Sequence, residues 1–374
     1  MAGGKVHLHS LLACHGGAAR VKQLLAAELQ GLGWQVSRTS EISDWPPEAQ
    51  TSETNLSPAE MASVDSGALF HLHTTKDWPA ACSALAQRQA SSEFRTIVTL
   101  HDLSFFTGGC PNPLDCTGLS EGCVEACPQG YKNAPAVQAC RIDALRRLNP
   151  ALAAPSNWLA RQVKRALPGV SCRLIPNGVE DNPLSKGRAR EMLGVAQEAL
   201  VVLFVAHGGV LSGLKGAGQW KSIWGSLKAK VPNALGFMVG GEKERREADL
   251  IEWPYVGHGH LQILMAAANL LVYPSLADNH PLVVLEAMSA STAVCAYGVG
   301  GIPEQVREGE TGVLVAPQAE ESLVQACAEV LLAPGLYRTL GKNGRSVYER
   351  HFKVSNMAGK YQDMYSDIMA EGRP

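Results

Sequence analysis

The residues with the most chemistry per position are a few acids, one lysine, paired glycines, a histidine and a group of cysteines. Glu286 sits in the run LVVLEAM, where an ionised carboxylate is costly to bury without hydrogen-bond donors. The two hydroxyls of a ribose would supply such donors; taken alone, the same glutamate also reads as a helix-face residue paired with a lysine or arginine. Asp278 stands just upstream in the polar turn SLADNH. Pro281 suits a first helical position, because it lacks the N–H that would go unpaired there. The next amides, near Leu282 and Val283, are then placed to face an anion. Lys215 follows an apolar strand and a Gly-rich turn (VAHGGVLSGLKGAG), within reach of a diphosphate as a point charge. Gly16 and Gly17 in HGGAAR bare the backbone between a strand and a helix, where a phosphate or sugar can come close, although many such turns carry glycine for conformation only. His101 and Asp102 end another buried strand. Cys110, Cys116, Cys123 and Cys127 have the loose spacing C-x5-C-x6-C-x3-C. That pattern is read either as a bound zinc or iron–sulfur cluster, or as thiols or disulfides that staple a loop.

These residues need a scaffold, and the pattern supplies one. Residues 5–13 read as a strand, and AARVKQLLAAELQGLG as a helix ending at Gly33. WQVSRTS, ALFHLHTT, RTIVTLH, ALAAPS and CRLIPNG read as further strands, with helices at ACSALAQRQA, through IDALRRL and at NWLARQVKRAL. Residues 40–66, rich in Ser, Thr, Glu and Pro, read as a surface excursion. VEDNPLSKGRAR reads as a linker. A second alternating series follows, through LVVLFVAHGG, GQWKSIWGSLKAK, ALGFMVGG, PYVGH and LQILMAAA, into the strand–turn–helix–strand–turn of 269–304. Such alternation predicts α/β architecture with doubly wound parallel sheets. The expected domains are 1–182, with a Cys-rich loop at 108–130, and 183–352, followed by a C-terminal helix in 353–374 that packs back on the first domain.

At 374 residues the prior is two domains, and 46% hydrophobic residues suffice for two cores. A net charge of −2 excludes a globally basic nucleic-acid binder. No run of 18 apolar residues is present, and KVHLHSLLA carries two histidines and reads as a strand, not a signal peptide. A cytoplasmic protein is the expectation. The ten cysteines do not alter it, because disulfide frameworks belong to small exported domains. Between Cys140 and Arg173 there are seven Lys or Arg and one acid. This stretch reads as a solvated helix face or as a patch for anionic lipid.

The segment from Pro274 and Ser275 through Asp278, Pro281, Leu285, Glu286, Ala287 and Met288 to Gly300, Gly301 and Glu304 resembles the E-x7-E motif of family-4 retaining glycosyltransferases of GT-B fold. Asp278 holds the first acidic position, one methylene shorter than the usual glutamate. The HD…TGGC run, the spaced cysteines, APSNWL and IPNGV resemble a bacterial subgroup building surface polysaccharide or lipopolysaccharide. The resemblance implies two facing Rossmann-like domains and transfer of a sugar from a nucleotide-diphosphate donor to a glycan or lipid-linked acceptor, with no metal required. It implies that His101, Lys215, Asp278 and Glu286 form the catalytic set. Gly16, Gly17, Asn177, His280, Leu282, Val283, Gly300 and Gly301 would bind substrate, Asn177 first as a hinge. Peripheral membrane contact through 141–173 is the implied partner surface. Leu214, where the family usually has a basic residue before the lysine, leaves a second reading open: a weakly active or inactive homologue that binds nucleotide sugar or glycan. A third reading makes the cysteine loop a redox or metal module.

Overall fold

The structure is a computed structural model and describes residues 4–42, 53–64, 67, 69–206, 213–216, 218–247 and 249–370. Part of the polar stretch 40–66 and most of the Gly-rich turn before Lys215 therefore lie outside the described residues. The chain divides into two compact units, Met1–Asn177 with Val354–Pro374, and Gly178–Lys353.

Unit 1 is built on strands β1 (Lys5–Leu12), β2 (Gln35–Ile42), β3 (Thr54–Asn55), β4 (Leu69–Leu72), β5 (Arg95–Thr99), β6 (Ala151–Ala154) and β7 (Cys172–Leu174). They form one parallel sheet in the order β3-β2-β1-β4-β5-β6-β7. The connecting helices are α1 (Gly17–Gly31), α2 (Trp78–Ser91), α3 (Gly118–Glu121), α4 (Ala134–Leu148) and α5 (Asn157–Ala166). Their starts follow local chemistry. Asp77 accepts the Ala80 N–H at 3.0 Å to open α2, and Ser156 accepts the Leu159 N–H at 3.1 Å to open α5. The sequence order reverses between β1 and β4, which is where such sheets leave a crevice at their strand C-termini.

The C-terminal helix, Val354–Ala370, belongs to unit 1. Tyr361 and Tyr365 are its buried anchors. The Tyr365 hydroxyl lies 2.6 Å from His71 Nδ1, and the Tyr361 hydroxyl 2.6 Å from Thr99 Oγ1. The Trp34 ring packs edge-on to Tyr365 at 5.3 Å.

Unit 2 repeats the plan with β8 (Leu200–Val205), β9 (Ala234–Val239), β10 (Arg245–Glu247), β11 (Leu250–Trp253), β12 (Leu270–Tyr273), β13 (Ala293–Tyr297) and β14 (Val313–Val315). The sheet order is β10-β11-β9-β8-β12-β13-β14, parallel except for the edge pair β10–β11. Its helices are α6 (Lys186–Leu193), α7 (Trp220–Lys230), α8 (His258–Ala267), α9 (Leu282–Ser289), α10 (Ile302–Gln305), α11 (Glu320–Leu332) and α12 (Leu336–His351). Every residue of β12 and β13 is buried, and two apolar clusters cover the two faces of the sheet. Each fully buried Leu or Val contributes roughly 1.5–3 kcal/mol, which makes these strands the rigid base of what they carry.

Several details depart from the sequence reading. The second half of the stretch expected as a linker belongs to α6, because Ser185 caps it by accepting the Arg188 N–H at 3.3 Å and Arg190 is buried with hydrogen bonds to Ala267 O and Asn269. The edge strand β10 was not foreseen: its residues, Arg-Arg-Glu, are all exposed and show no apolar alternation. The strand near PYVGH is Leu250–Trp253. Pro281 lies one residue before α9, as its N-cap. No helix among the described residues is long and apolar enough to cross a membrane.

Candidate functional site

In unit 2 the order reverses between β8 and β12, and the sequence-predicted charged residues meet at that point. Lys215 ends a short 3-10 turn, Gly213–Lys215, after β8. The turn is tied to the segment after β12. The Leu276 N–H and the Ser275 hydroxyl both donate to Leu214 O, at 2.7 and 3.1 Å. Gly216 makes this close approach possible, because a Cβ there would lie 2.3 Å from Pro274 O and its φ is +72°. The result is an ion pair between Lys215 Nζ and Asp278 Oδ2. The Tyr273 hydroxyl donates to the same oxygen at 2.6 Å. Burial, and then the Asp278 charge, push the Tyr273 hydroxyl well above its ordinary pKa, so it remains a donor.

The Gly300–Gly301 turn grips the Asp278 backbone. Gly301 N–H donates to Asp278 O at 3.3 Å, and a Cβ on Gly300 would lie 1.7 Å from that oxygen. Leu282 and Val283 form the first turn of α9, whose amides have no partner within the helix. The Gln305 side chain holds that end, donating to Pro281 O at 3.1 Å and lying 3.1 Å from His280 Nδ1. His280 is buried against Phe352, and burial lowers its pKa to about 3, so the ring is neutral.

Glu286 lies further along α9, its side chain 12% exposed. His258, at the start of α8, places Nδ1 3.8 Å from Glu286 Oε1 and Nε2 3.2 Å from Glu180 Oε2. Neither contact is a hydrogen bond: 3.8 Å is too long for one, and Nε2 of His258 has no hydrogen-bond partner among the described residues. Glu180, Asn182, His258, Gln262, Met265 and Glu286 line a cavity of about 210 Å³ of non-atom space.

In unit 1, Gly16 (φ +89°) and Gly17 form the turn from β1 into α1, and nothing lies within 4 Å of a Cβ added to either. His101 follows β5, with Nε2 3.1 Å from His73 Nδ1 and the two rings stacked at 5.3 Å. Burial lowers the His101 pKa to about 4. Asp102 accepts the Ser104 N–H at 2.8 Å. Asn177 is buried at the end of the first segment of unit 1.

His101, half-buried, and His73 lie in one of two histidine layers, one on each side of the sheet. The parallel register pairs His7 with Phe70 and Leu8 with His71, so His7 and His9 face one side of the sheet and His71 and His73 the other. On the first side, His7 contacts Ser37 and Thr39 hydroxyls and His9 contacts Thr39, each at 2.8 Å. On the second, His71 contacts Thr99 at 2.7 Å and stacks on His73 at 4.3 Å.

The cysteine loop corrects the zinc or iron–sulfur expectation. No group of three or more His, Cys, Asp or Glu among the described residues could hold a metal ion. Cys110, Cys116, Cys123 and Cys127 are free thiols around one cavity of about 330 Å³ of non-atom space. Two are engaged as acceptors: Cys123 Sγ takes the Gly108 N–H at 3.2 Å and Cys116 Sγ takes the Gly118 N–H at 3.4 Å. Burial raises the pKa of Cys110 and Cys123.

The geometry therefore gathers Lys215, Asp278, Gly300 and Gly301 at the switch point, with the first turn of α9 and Glu286 on the helix that follows. Tyr273, His258 and Glu180 were missed. The only sequence signal for Tyr273 was a hydroxyl-bearing ring ending a buried strand, and for His258 a polar residue just after Gly257 at a helix start.

Two α/β units of this Rossmann-like type constitute the GT-B fold, and the solved structures that this chain resembles share it. Sucrose-phosphate synthase from Thermosynechococcus elongatus superposes with a TM-score of 0.75 over 99% of this chain and 100% of that one, at 21% identity. The Anabaena protein HepE, solved in complex with UDP-glucose, gives 0.70 over 97% of this chain and 99% of that one, at 16% identity. Residues 186–347 match the profile of the family described as glycosyl transferases group 1. A D-inositol 3-phosphate glycosyltransferase of Actinosynnema mirum is 32% identical over 193 residues, 46% of each chain. This chain spans about half the length of the curated relatives it matches.

Proposed function

We propose that the protein is a retaining glycosyltransferase of the family-4 type, moving a sugar from a nucleotide-diphosphate donor to a hydroxyl of a glycan or lipid-linked acceptor in surface-polysaccharide assembly. The observation that carries this reading is the convergence of a lysine, a carboxylate, a glycine turn and a helix N-terminus at the β8/β12 switch point, inside the region that matches glycosyl transferases group 1. The support from HepE and the curated glycosyltransferases is that they share, respectively, the fold and part of the sequence.

In this reading Lys215 and the amides of Leu282 and Val283 neutralise the diphosphate as it departs. Glu286 accepts from the ribose hydroxyls. Asp278, with the Gly300–Gly301 turn, positions the sugar; within unit 1, His101 and the Gly16–Gly17 turn are the residues assigned to substrate. The acceptor oxygen attacks the anomeric carbon on the face the leaving group vacates. The anomeric carbon–phosphate oxygen bond breaks, and the acceptor's proton passes to the leaving phosphate. Rate enhancement then comes from charge stabilisation and positioning, without a strong protein base.

The exposed residues Arg146, Arg161, Lys164 and Arg165 on α4 and α5 suit an anionic surface, at about 1 kcal/mol each. Arg147 is less available because it pairs with Asp143 at 2.8 Å, and Arg173 because it pairs with Asp367. The protein would thus work in the cytoplasm, at the inner face of the membrane. Calorimetry with UDP-, GDP- and ADP-sugars, together with sugar-nucleotide hydrolysis by wild type and Glu286→Ala, tests the reading. Binding and turnover that the variant abolishes are expected. Tight nucleotide binding without turnover would favour the inactive binder that Leu214 suggests, and no binding at all would sink both.

A further inference from the structure

The two oxygens of Asp278 are used unequally. Oδ2 takes both the Tyr273 hydroxyl, at 2.6 Å, and the Lys215 ammonium. Oδ1 accepts no hydrogen bond among the described residues, and the side chain keeps 12% of its exposure. The backbone of Asp278 is fixed by the Gly300–Gly301 turn, so the remaining freedom is rotation of the carboxylate itself.

The two groups that restrain this rotation differ in permanence. Lys215 is a long side chain, 31% exposed, and in the reading above it is also the cation for the diphosphate. A bound diphosphate carries more negative charge than one carboxylate and competes for it. Tyr273 is 3% exposed at the end of a fully buried strand, with only two side-chain torsions. It has no second anion to serve.

We propose that Tyr273 is the positioning residue of the sugar end of this site. Its hydroxyl pins Oδ2 so that Oδ1 stays aimed at a sugar hydroxyl, and the pin holds when the diphosphate draws Lys215 away. The inference deepens the proposed function and rests on Asp278 contacting the sugar. The ligand chemistry read by Oδ1 is a neutral polyol hydroxyl.

The test compares, by calorimetry, each plain nucleoside diphosphate (UDP, GDP, ADP) with its glucose conjugate, using the base that binds. In Tyr273→Phe the plain diphosphate keeps its wild-type affinity, whereas the conjugate binds roughly tenfold more weakly, the loss typical of a hydrogen bond to a charged group. Asp278→Ala removes the preference for the conjugate altogether. Lys215→Met weakens both ligands together and leaves their ratio as in wild type, because Tyr273 still holds the carboxylate. This last variant keeps the test decisive even if Tyr273→Phe folds poorly. A normal ratio in Tyr273→Phe, or a collapsed ratio in Lys215→Met, overturns the inference while an Asp278→Ala effect leaves the parent reading standing. A normal ratio in Asp278→Ala, or no binding of any of the three bases, overturns the parent reading and this inference with it.

Discussion

Units 1 and 2 are both seven-stranded sheets whose sequence order reverses beside the first strand of the unit, yet they fill that centre with opposite chemistry. Unit 2 places a lysine–aspartate pair and a tight glycine turn there. Unit 1 packs His7, His9, His71, His73 and His101 in and around its central strands, paired mostly with hydroxyls and with one another. Charge opposing charge can persist at a half-open site. A ring that is neutral only because it is buried makes its host depend on solution acidity. One topology thus supports an electrostatic site and a pH-sensitive core, and the two units should fail in different ways.

The largest expected difference is in acid. Burial lowers His7 and His71 to about 3 and His101 to about 4, from an ordinary 6.5. A folded-state pKa below the unfolded one gives full stability above pH 6.5, which is lost as pH falls because the unfolded chain takes the proton first. By pH 5 each such histidine withdraws about 2 kcal/mol, so these three remove about 6 kcal/mol. His9 and His73 shift in the same direction, the former opposed by Glu41 at 3.6 Å. In unit 2 only His280, among the described residues, shows such lowering. Hydrogen exchange followed from pH 7 to 5 should therefore show β1 and β4 peptides losing protection while β12 and β13 retain theirs. Simultaneous loss would break the contrast.

Next in size is a pair of glycine substitutions. Gly300→Ala meets Asp278 O at 1.7 Å in addition to a φ of +57°, and should destabilise unit 2 by about 3 kcal/mol or more. Gly16→Ala has open space and only its φ of +89° to bear, about 1–2 kcal/mol. Denaturant titration of the two variants separates crowding from strain. Lys215→Met follows, with a loss of about 2–3 kcal/mol of transition-state stabilisation, read as a roughly hundredfold fall in kcat/KM in a glycosyl-transfer assay. Smallest is Tyr365→Phe, which removes one hydrogen bond from buried His71 and should lower unit 1 stability by about 1 kcal/mol in thermal melts.

Legibility in the sequence differed between the units for the same reason. The strand, turn and helix of 269–304 are local, so the unit and the odd placement of Glu286 could be read from the pattern, whereas Asp278 and the Gly300–Gly301 turn were marked by the resemblance to the family-4 motif. The pairing of Lys215 with Asp278 could not be read, since it depends on β8 and β12 being neighbours. The HLH patterns at His7–His9 and His71–His73 showed which residues share a face. Burial of both pairs, on opposite sides, follows only from the register between β1 and β4. The cysteines misled because spacing counts residues without fixing where the sulfurs point, and the loop instead turns two of them onto backbone amides. The helix α6 was hidden by a Pro- and charge-rich stretch whose Ser185 is a cap.

The helix Val354–Ala370 has a consequence for how the molecule is made. Unit 1 consists of two stretches of chain separated by the whole of unit 2, so a ribosome delivers its final piece only after Lys353. Until then His71 and Thr99 lack the tyrosine hydroxyls that meet them in the finished protein. The first domain to be translated is therefore the last to close.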